Sequence, residues 1–402
     1  MFRKIIFFLL IFCLPFQLGY HFWLPQSFVS SFRIDYLSPT IYLVDLLILC
    51  YLILNLRRIK LNPLFIVLAV INLWVSRGNP VTLFAWLRLL EYYSLFKVLR
   101  SETNLISKAR RPFLISLCFI LTLALVQFAR QSSVGGPFYL LGERPLSVFL
   151  PNIAKIDIQY QISNFKYQIL LLRPYSTFSH PNSLAGYLLA SLILLPLFTK
   201  SRFIKALISI VIILTFSKVA ILALVLITFF QLSFLQSLVL GTFLSLIPAI
   251  TSIVNLPPWL QLSFTSRHYL FPPTLQIIKD HWLTGVGLRQ FIPTLTQQLP
   301  GNQLSYQNLQ PVHNILLLIV AELGILPIIA ICFYFLKFKI TLNTKYLPAG
   351  RHGHLLAVVI LITGSLDHYW WTLPQNQLII VLALALIINK MSFRPSSRNL
   401  SE

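Results

Sequence analysis

Residues 173–199 have the sequence RPYSTFSHPNSLAGYLLASLILLPLFT, in which a polar approach leads directly into an apolar segment. The second part, 182–199, contains no charged residue and is long enough to cross the hydrocarbon core of a membrane as a helix. Asn182 or Ser183 can cap such a helix, and Pro181 suits its first turn. The segment therefore predicts a membrane-spanning helix that begins beside a histidine and close to an arginine.

The whole chain shares this apolar character. Hydrophobic residues make up 57% of the 402 residues and charged residues only 10%, whereas a soluble domain contains about 25% charged residues. We therefore predict an all-α polytopic membrane protein with about twelve transmembrane helices. The predicted spans are 4–22, 39–56, 62–77, 80–99, 112–131, 182–199, 203–216, 218–234, 235–256, 312–336, 353–366 and 374–391.

Charge sets the orientation and excludes some classes of protein. With the amino terminus in the cytoplasm, the short connectors and tails on that side carry most of the 32 basic residues, as the positive-inside rule requires. The same rule accounts for the net charge of +22 without nucleic acid as a partner. The four cysteines lie in apolar runs with no pairing pattern, which argues against a disulfide framework or a metal site.

Two segments, 132–181 and 257–311, are too polar to span the membrane and too long to be simple connectors. Both are predicted on the outer face, folded, with short interfacial helices, and residues 267–281 are predicted to form one of them. The chain is then divided into helices 1–5 (1–131), a first external loop (132–181), helices 6–9 (182–256), a large external loop (257–311), and helices 10–12 with a cytoplasmic tail (312–402).

Arg173 and the start of the helix at Asn182 form a candidate anion site. The N-terminus of a helix presents free N–H groups and a partial positive charge, and an arginine adds a fork of donors that suits phosphate. The alternative is that the His-Pro-Asn sequence only caps the helix while Arg173 extends to lipid headgroups.

His313 and Asn314 begin another predicted span, 312–336, at the same face. A histidine titrates near neutral pH, so it can accept a proton from a hydroxyl group. Arg267, in the large external loop, could reach the same opening. The alternatives are an interfacial histidine bonded to a carbonyl group and an arginine that anchors to headgroups.

Other charged residues are more ambiguous. Lys218 lies between two short apolar runs, where a bound anion or contact with the interface would stabilise it. Arg88 and Glu91 are interpreted as a structural pair within one helix. The segment 367–371, Asp-His-Tyr-Trp-Trp, fits an interfacial aromatic belt, although its rings could also stack on sugars.

Four motifs at these positions resemble the O-antigen ligase and Wzy-type polymerase superfamily. In chain order they are Arg-x-x-x-Thr-Phe-x-His-Pro-Asn-x-Leu-Ala-x-Tyr-Leu (Arg173 to Leu188), Ser-Lys (217–218), Thr-Gly-Val-Gly (284–287) followed by Phe291, and His-Asn-x-x-Leu with Ala-Glu-Leu-Gly (His313 to Gly324). The resemblance covers approximately residues 130–370. The chain departs from the family pattern at Ser176, where glycine is usual, and at Lys218, where arginine is usual.

The resemblance implies a metal-independent glycosyltransferase of the GT-C kind that needs no cofactor. Such enzymes take a glycan from undecaprenyl diphosphate at the outer face of the cytoplasmic membrane and give it to a hydroxyl group of a glycan, lipid or protein acceptor. Carried over to this chain, Arg173 and Arg267 hold the diphosphate, and His313 activates the acceptor, with inversion at the anomeric carbon. The residues assigned to substrate binding are His180, Asn182, Lys218, Arg289, Asn314 and Glu322.

Ligase and polymerase are not distinguished by these residues, because variable loops form the acceptor surface. A flippase or transporter of the polyprenyl-linked glycan would also bind a diphosphate with arginines across about a dozen spans. It would, however, require a charged central cavity accessible from both sides, whereas the candidate residues here cluster at one predicted face. A polysaccharide-binding membrane scaffold is a third class, and it would not require His313.

Overall fold

The computed structural model describes residues 1–162, 165–230, 234–250, 258–299, 301, 304–305, 308–329 and 348–392. The chain is mostly helical in these ranges, which confirms the predicted class in its general form. The helices are α1 (Phe2–Cys13), α2 (Leu43–Ile53), α3 (Pro63–Val75), α4 (Pro80–Arg100), α5 (Leu105–Arg130), α6 (Pro181–Phe198), α7 (Arg202–Leu214), α8 (Lys218–Val225), α9 (Phe234–Ile250), α10 (Pro258–Asp280), α11 (Phe291–Gln298), α12 (Ile315–Leu323), α13 (Pro348–Gly364), α14 (Tyr369–Thr372) and α15 (Pro374–Ser392).

Two of the described helices, α5 and α6, are long and apolar enough to cross a membrane, judged by length and composition. Shorter apolar helices lie at Leu43–Ile53, Pro63–Val75, Lys218–Phe229, Gln236–Leu246, Arg351–Gly364 and Pro374–Asn389. The number of twelve spans, their orientation and the division into loops and helix groups stay predictions.

The amino-terminal segment differs from the prediction. The predicted span 4–22 is helical only to Cys13, and Pro15 follows closely, a residue that cannot donate to a helix. Residues 14–42 contain two small antiparallel strand pairs, and α2 begins only at Leu43. In these pairs β1 (Gly19–His21) lies beside β4 (Thr40–Tyr42), and β2 (Phe28–Val29) lies beside β3 (Phe32–Arg33).

The first predicted external loop contains strands where interfacial helices were expected. Strands β5 (Lys155–Ile162) and β6 (Phe165–Leu172) form an antiparallel hairpin, in which Ile158 pairs with Ile169. The sequence of β5, KIDIQYQI, alternates polar and apolar residues, a period that favours a strand. In the second loop, the helix predicted at 267–281 is present within the longer α10.

The predicted span 312–336 is interrupted at Gly324, where α12 has ended at Leu323. Gly285 and Gly324 have φ angles of +67° and +69°, and a Cβ atom on either would overlap the backbone of the other's segment. Backbone hydrogen bonds of 2.9 Å join the two segments, from Val286 N to Ala321 O and from Gly287 N to Glu322 O. The two glycine motifs recognised in the sequence are therefore packed against each other.

Near the amino-terminal end of α1, the carboxylate of Glu102 forms ion pairs with three basic side chains. We call this arrangement the Glu102 cluster. Glu102 lies between α4 and α5 and is paired with Arg3 (2.5 Å), Arg58 (2.8 Å) and Lys108 (2.5 Å). Burial opposes ionisation of Glu102, but the hydrogen bond from Lys108 and the charge of Arg3 outweigh it, so the pKa of this carboxyl is lowered.

Candidate active site

A cavity of about 740 Å³ lies near the carboxyl-terminal end of α1. Gln17, shortly after that helix, is one of the residues that line it. It is bounded by the segment 14–42, α4, the approach to α6, the loop before α12 and residues 367–374. Its described lining contains four arginines and four histidines but only two aspartates, Asp35 and Asp367. The arginines and histidines are Arg88, Arg144, Arg173, Arg289, His21, His180, His313 and His368. This balance of charge favours an anionic ligand.

Arg173 is fixed at the cavity wall by two acceptors. Its Nη2 donates to Asn182 Oδ1 at 2.7 Å, and its Nε donates to Thr215 O at 2.5 Å. Asn182 in turn donates from Nδ2 to Asp367 Oδ2 at 2.9 Å. The cap of α6 is His180, whose Nδ1 accepts from Asn182 N at 3.1 Å, rather than Asn182 or Ser183 as predicted. The structure therefore brings Arg173, His180 and Asn182 together, as expected.

His313 lies beside a second histidine. The ring centroids of His313 and His368 are 5.1 Å apart, and the Nδ1 atom of His368 is 2.8 Å from Thr372 Oγ1. Residue 368 follows Asp367, the acceptor for Asn182, in the chain. A continuous series of contacts thus connects the Arg173 network with His313.

Two predicted substrate-binding residues support the cavity from behind and are not among the described residues that line it. Asn314 caps α12, accepting from Leu317 N at 3.0 Å, and donates to Ser365 O at 3.1 Å. Glu322 accepts from Arg289 N at 3.0 Å and from Trp371 Nε1 at 2.9 Å. In this structure, Asn314 orients the start of α12 after His313, and Glu322 orients the turn that carries Arg289.

Arg289 lines the cavity, and both its backbone and its side chain form hydrogen bonds with neighbouring segments. Its Nη2 donates to Thr372 O at 3.0 Å. Burial lowers the pKa of the guanidinium, the charge of Glu322 opposes this shift, and the positive charge of Arg88 lowers the pKa further. Arg88 and Arg289 both contribute positive charge to the described lining of this cavity.

One comparison with known proteins gives a match that begins close to this cavity in the chain. Residues 183–332 match the family model described as O-antigen ligase. Over these residues the chain is similar to the O-antigen ligase family. The match confirms the resemblance predicted from the four motifs and supports a bacterial inner-membrane glycosyltransferase of the ligase or polymerase type, acting in polysaccharide biosynthesis. No curated protein matches the chain.

Within the O-antigen ligase segment, two predicted residues are not placed at the cavity. Arg267 belongs to α10, but its side chain lies outside the described residues, so its role stays a prediction. Lys218 begins α8, is exposed, and is absent from the described lining of the cavity. Arg173 donates to Thr215 O, shortly before Lys218 in the chain, so the Ser-Lys motif adjoins the anion site.

The departure from the ligase pattern at Ser176 has a structural explanation. Ser176 has a φ angle of +53°, in the left-handed region where glycine is favoured. Its amide donates to Gln127 Oε1 at 2.6 Å, and its Oγ donates to Ile120 O at 2.9 Å. These bonds to α5 hold a residue with a side chain in the glycine conformation.

Several cavity residues were not predicted. The sequence interpretation paired Arg88 with Glu91, and the structure adds an ion pair of Arg88 with Asp45 at 2.7 Å. A charge within a predicted span was a signal for a role beyond that helix. Asp367 and His368 belong to the segment for which the sequence suggests either an interfacial belt or stacking on sugars, and both line the cavity. Arg144, which donates to Ser179 O at 3.0 Å, and the segment 14–42 carried no recognisable motif.

Proposed function

We propose that this protein transfers a glycan from undecaprenyl diphosphate to an acceptor hydroxyl group at the outer face of the cytoplasmic membrane. The observation that carries the proposal is the contact series from Arg173 to His313 along one cavity, beside and within the O-antigen ligase segment. It supports the proposal because one substrate could then contact both an arginine suited to bind an anion and a histidine suited to accept a proton.

Arg173 would bind the diphosphate. Asn182 and Thr215 fix its guanidinium before substrate arrives, so little reorganisation is needed as charge develops on the leaving diphosphate. The N-terminus of α6, capped by His180, adds a partial positive charge. Arg267 and Lys218, from the resemblance, would complete the diphosphate site.

His313 would act as the general base. The acceptor oxygen attacks the anomeric carbon, and its proton passes to the imidazole of His313. The bond from the anomeric carbon to the diphosphate oxygen breaks, and its electrons leave with undecaprenyl diphosphate. Direct displacement inverts the anomeric configuration. The acceptor is a glycan, a lipid or a protein hydroxyl, which separates polymerase, ligase and protein-glycosylating activities.

The test uses purified protein in liposomes with an undecaprenyl diphosphate oligosaccharide and candidate acceptors, without nucleotide or metal. We expect undecaprenyl diphosphate and a glycosylated product to appear together. His313→Ala should reduce the rate on the order of 10²- to 10⁴-fold, the usual contribution of a general base. His281→Ala is the matched control, since His281 is exposed and absent from the described cavity lining.

A different outcome would support the flippase. In that case the intact donor would cross the bilayer with no bond broken, and His313→Ala would transport it as well as the unaltered protein does. Transport is followed in the same liposomes by the accessibility of the glycan to a lectin added outside.

A further inference from the structure

Three arginines of the described cavity lining, Arg88, Arg144 and Arg289, have no part in the mechanism above. Arg289 is in the left-handed backbone region, with a φ angle of +62°, which is unfavourable for a residue with a Cβ atom. Such strain persists where the surrounding structure holds the residue firmly, and it is concentrated at binding sites. The strained residue here is a long cation that lines the cavity.

The turn that carries Arg289 is held by α3, α4 and α12. Glu322 Oε1 accepts from Arg289 N at 3.0 Å. The preceding residue, Leu288, donates to Asn72 Oδ1 at 2.9 Å and accepts from Thr82 Oγ1 at 2.8 Å. The Glu322 carboxylate is therefore used to fix the backbone, while Arg289 Nη2 bonds to Thr372 O.

Arg88 is the second cation, and its carboxylate partner also lies behind it. Asp45 binds Arg88 Nη2 at 2.7 Å but is absent from the described lining of the cavity, as is Glu322. The guanidinium of Arg88 also lies over the ring of Tyr42, 5.1 Å from its centroid. Arg88 and Arg289 line the same cavity, whose described lining contains only two carboxylates, so a bound anion there would be stabilised by both arginines.

Arg289 is connected to the histidine pair through Thr372, and Arg88 lines the same cavity. Thr372 contacts both groups, through its Oγ1 with His368 Nδ1 at 2.8 Å and through its carbonyl oxygen with Arg289 at 3.0 Å. Tyr36 packs edge-on against His368, at 5.4 Å between ring centroids. In the other direction, Asp367 leads through Asn182 to Arg173.

We propose that Arg289 and Arg88 form a second anion subsite that binds a carboxylate or phosphate group of the acceptor. The inference rests on the proposed transferase function. In a direct displacement the attacking hydroxyl and the leaving diphosphate lie on opposite sides of the anomeric carbon. With the diphosphate at Arg173 and the hydroxyl at His313, a group bound at Arg289 belongs to the acceptor, because Arg289 is connected through Thr372 to the histidine pair.

The experiment compares three acceptors that differ only at carbon 6 of one hexoside: the neutral sugar, the uronic acid and the 6-phosphate. We expect kcat/KM for the better anionic acceptor to exceed that for the neutral one on the order of 10- to 100-fold, the range for hydrogen bonds to charged groups. A comparison of kcat/KM for the uronic acid with that for the 6-phosphate shows whether the subsite prefers a carboxylate or a phosphate. Arg289→Gln and Arg88→Lys should reduce this preference through the KM of the acceptor, and Arg289→Lys should reduce it less than Arg289→Gln.

Arg130→Gln is the control, since Arg130 is exposed at the end of α5 and absent from the described cavity lining. Equal use of neutral and anionic acceptors, or a rise in the KM of the donor in place of the acceptor in Arg289→Gln, would overturn the subsite. Binding of each hexoside to protein saturated with undecaprenyl diphosphate is measured in parallel. Arg289-dependent binding of the anions without any transfer would contradict the proposed transferase, whereas transfer without Arg289-dependent preference would contradict only the subsite.

Discussion

The two ends of α1 both adjoin clusters of cations, but the cations have different partners. In the Glu102 cluster, Arg3, Arg58 and Lys108 are all within 2.8 Å of one carboxylate of the protein itself. At the cavity, four arginines share a lining of about 740 Å³ with two aspartates, and the carboxylates of Asp45 and Glu322 lie behind it. The number of charges is similar at the two ends. What distinguishes the cavity is that carboxylates such as Asp45, the partner of Arg88, are absent from its described lining, which therefore carries an excess of cations.

The largest expected contrast is between Arg173→Ala and Glu102→Gln. Removal of Arg173 should lower kcat/KM for transfer on the order of 10²- to 10³-fold, because a fixed donor to the developing charge is lost. Glu102→Gln should leave three cations without a carboxylate and lower the melting temperature, while folded protein keeps its kcat/KM. Both variants are compared by transfer assay and thermal unfolding in one detergent. An equal loss of kcat/KM in folded Glu102→Gln would remove the distinction between the clusters.

The support of the cavity can be tested with a matched pair of glycines. Gly324 and Gly78 have φ angles of +69° and +66°, but only at Gly324 would a Cβ atom overlap the backbone of Leu283, whereas Gly78 has no neighbouring atom within 4 Å. Gly78→Ala should lower the free energy of unfolding by about 1 to 2 kcal/mol from backbone strain alone. Gly324→Ala should lower it by about 3 kcal/mol or more, since overpacking adds to that strain.

Thermal unfolding of the two glycine variants measures this difference, and the transfer assay shows whether the cavity is affected. Equal destabilisation would mean that the packing of the two glycine motifs contributes little beyond backbone geometry. A loss of transfer in Gly324→Ala alone would connect that packing to the position of Arg289.

The Glu102 cluster should also make the stability of the protein depend on pH in the acidic range. The folded pKa of Glu102 is below its ordinary value of about 4.3, so the cluster contributes stability above that pH and loses it as the pH falls through the folded pKa. The melting temperature of the unaltered protein should therefore fall more steeply than that of Glu102→Gln between about pH 5 and about pH 3. Parallel curves in this window would show that the carboxylate is not stabilised in the folded state.

The sequence predicted some parts of the cavity and missed others, and the difference has physical reasons. Local order along the chain was sufficient to place Arg173, His180 and Asn182 at one helix start, and His313, chosen from its own motif, lines the same cavity. The cavity wall formed by 14–42 was missed because apolar composition alone does not distinguish a helix from short strands, although Pro15 was a local signal. The role of Arg88 depends on Asp45 and Arg289, which are distant in the chain, so no local pattern could show it.

The smallest expected effect concerns Ser176, at the wall formed by the approach to α6. Ser176→Gly should relieve about 1 kcal/mol of left-handed strain but lose the hydrogen bond from Oγ to Ile120 O, which contributes about 1 kcal/mol. The two changes nearly cancel, so its unfolding free energy should stay close to that of the unaltered protein. Ser176→Ala keeps the strain and loses the bond, so it should be less stable by about 1 kcal/mol. If both variants were equally destabilised, the hydrogen bond alone would hold this turn, and the family's preference for glycine here would need another cause than the φ angle.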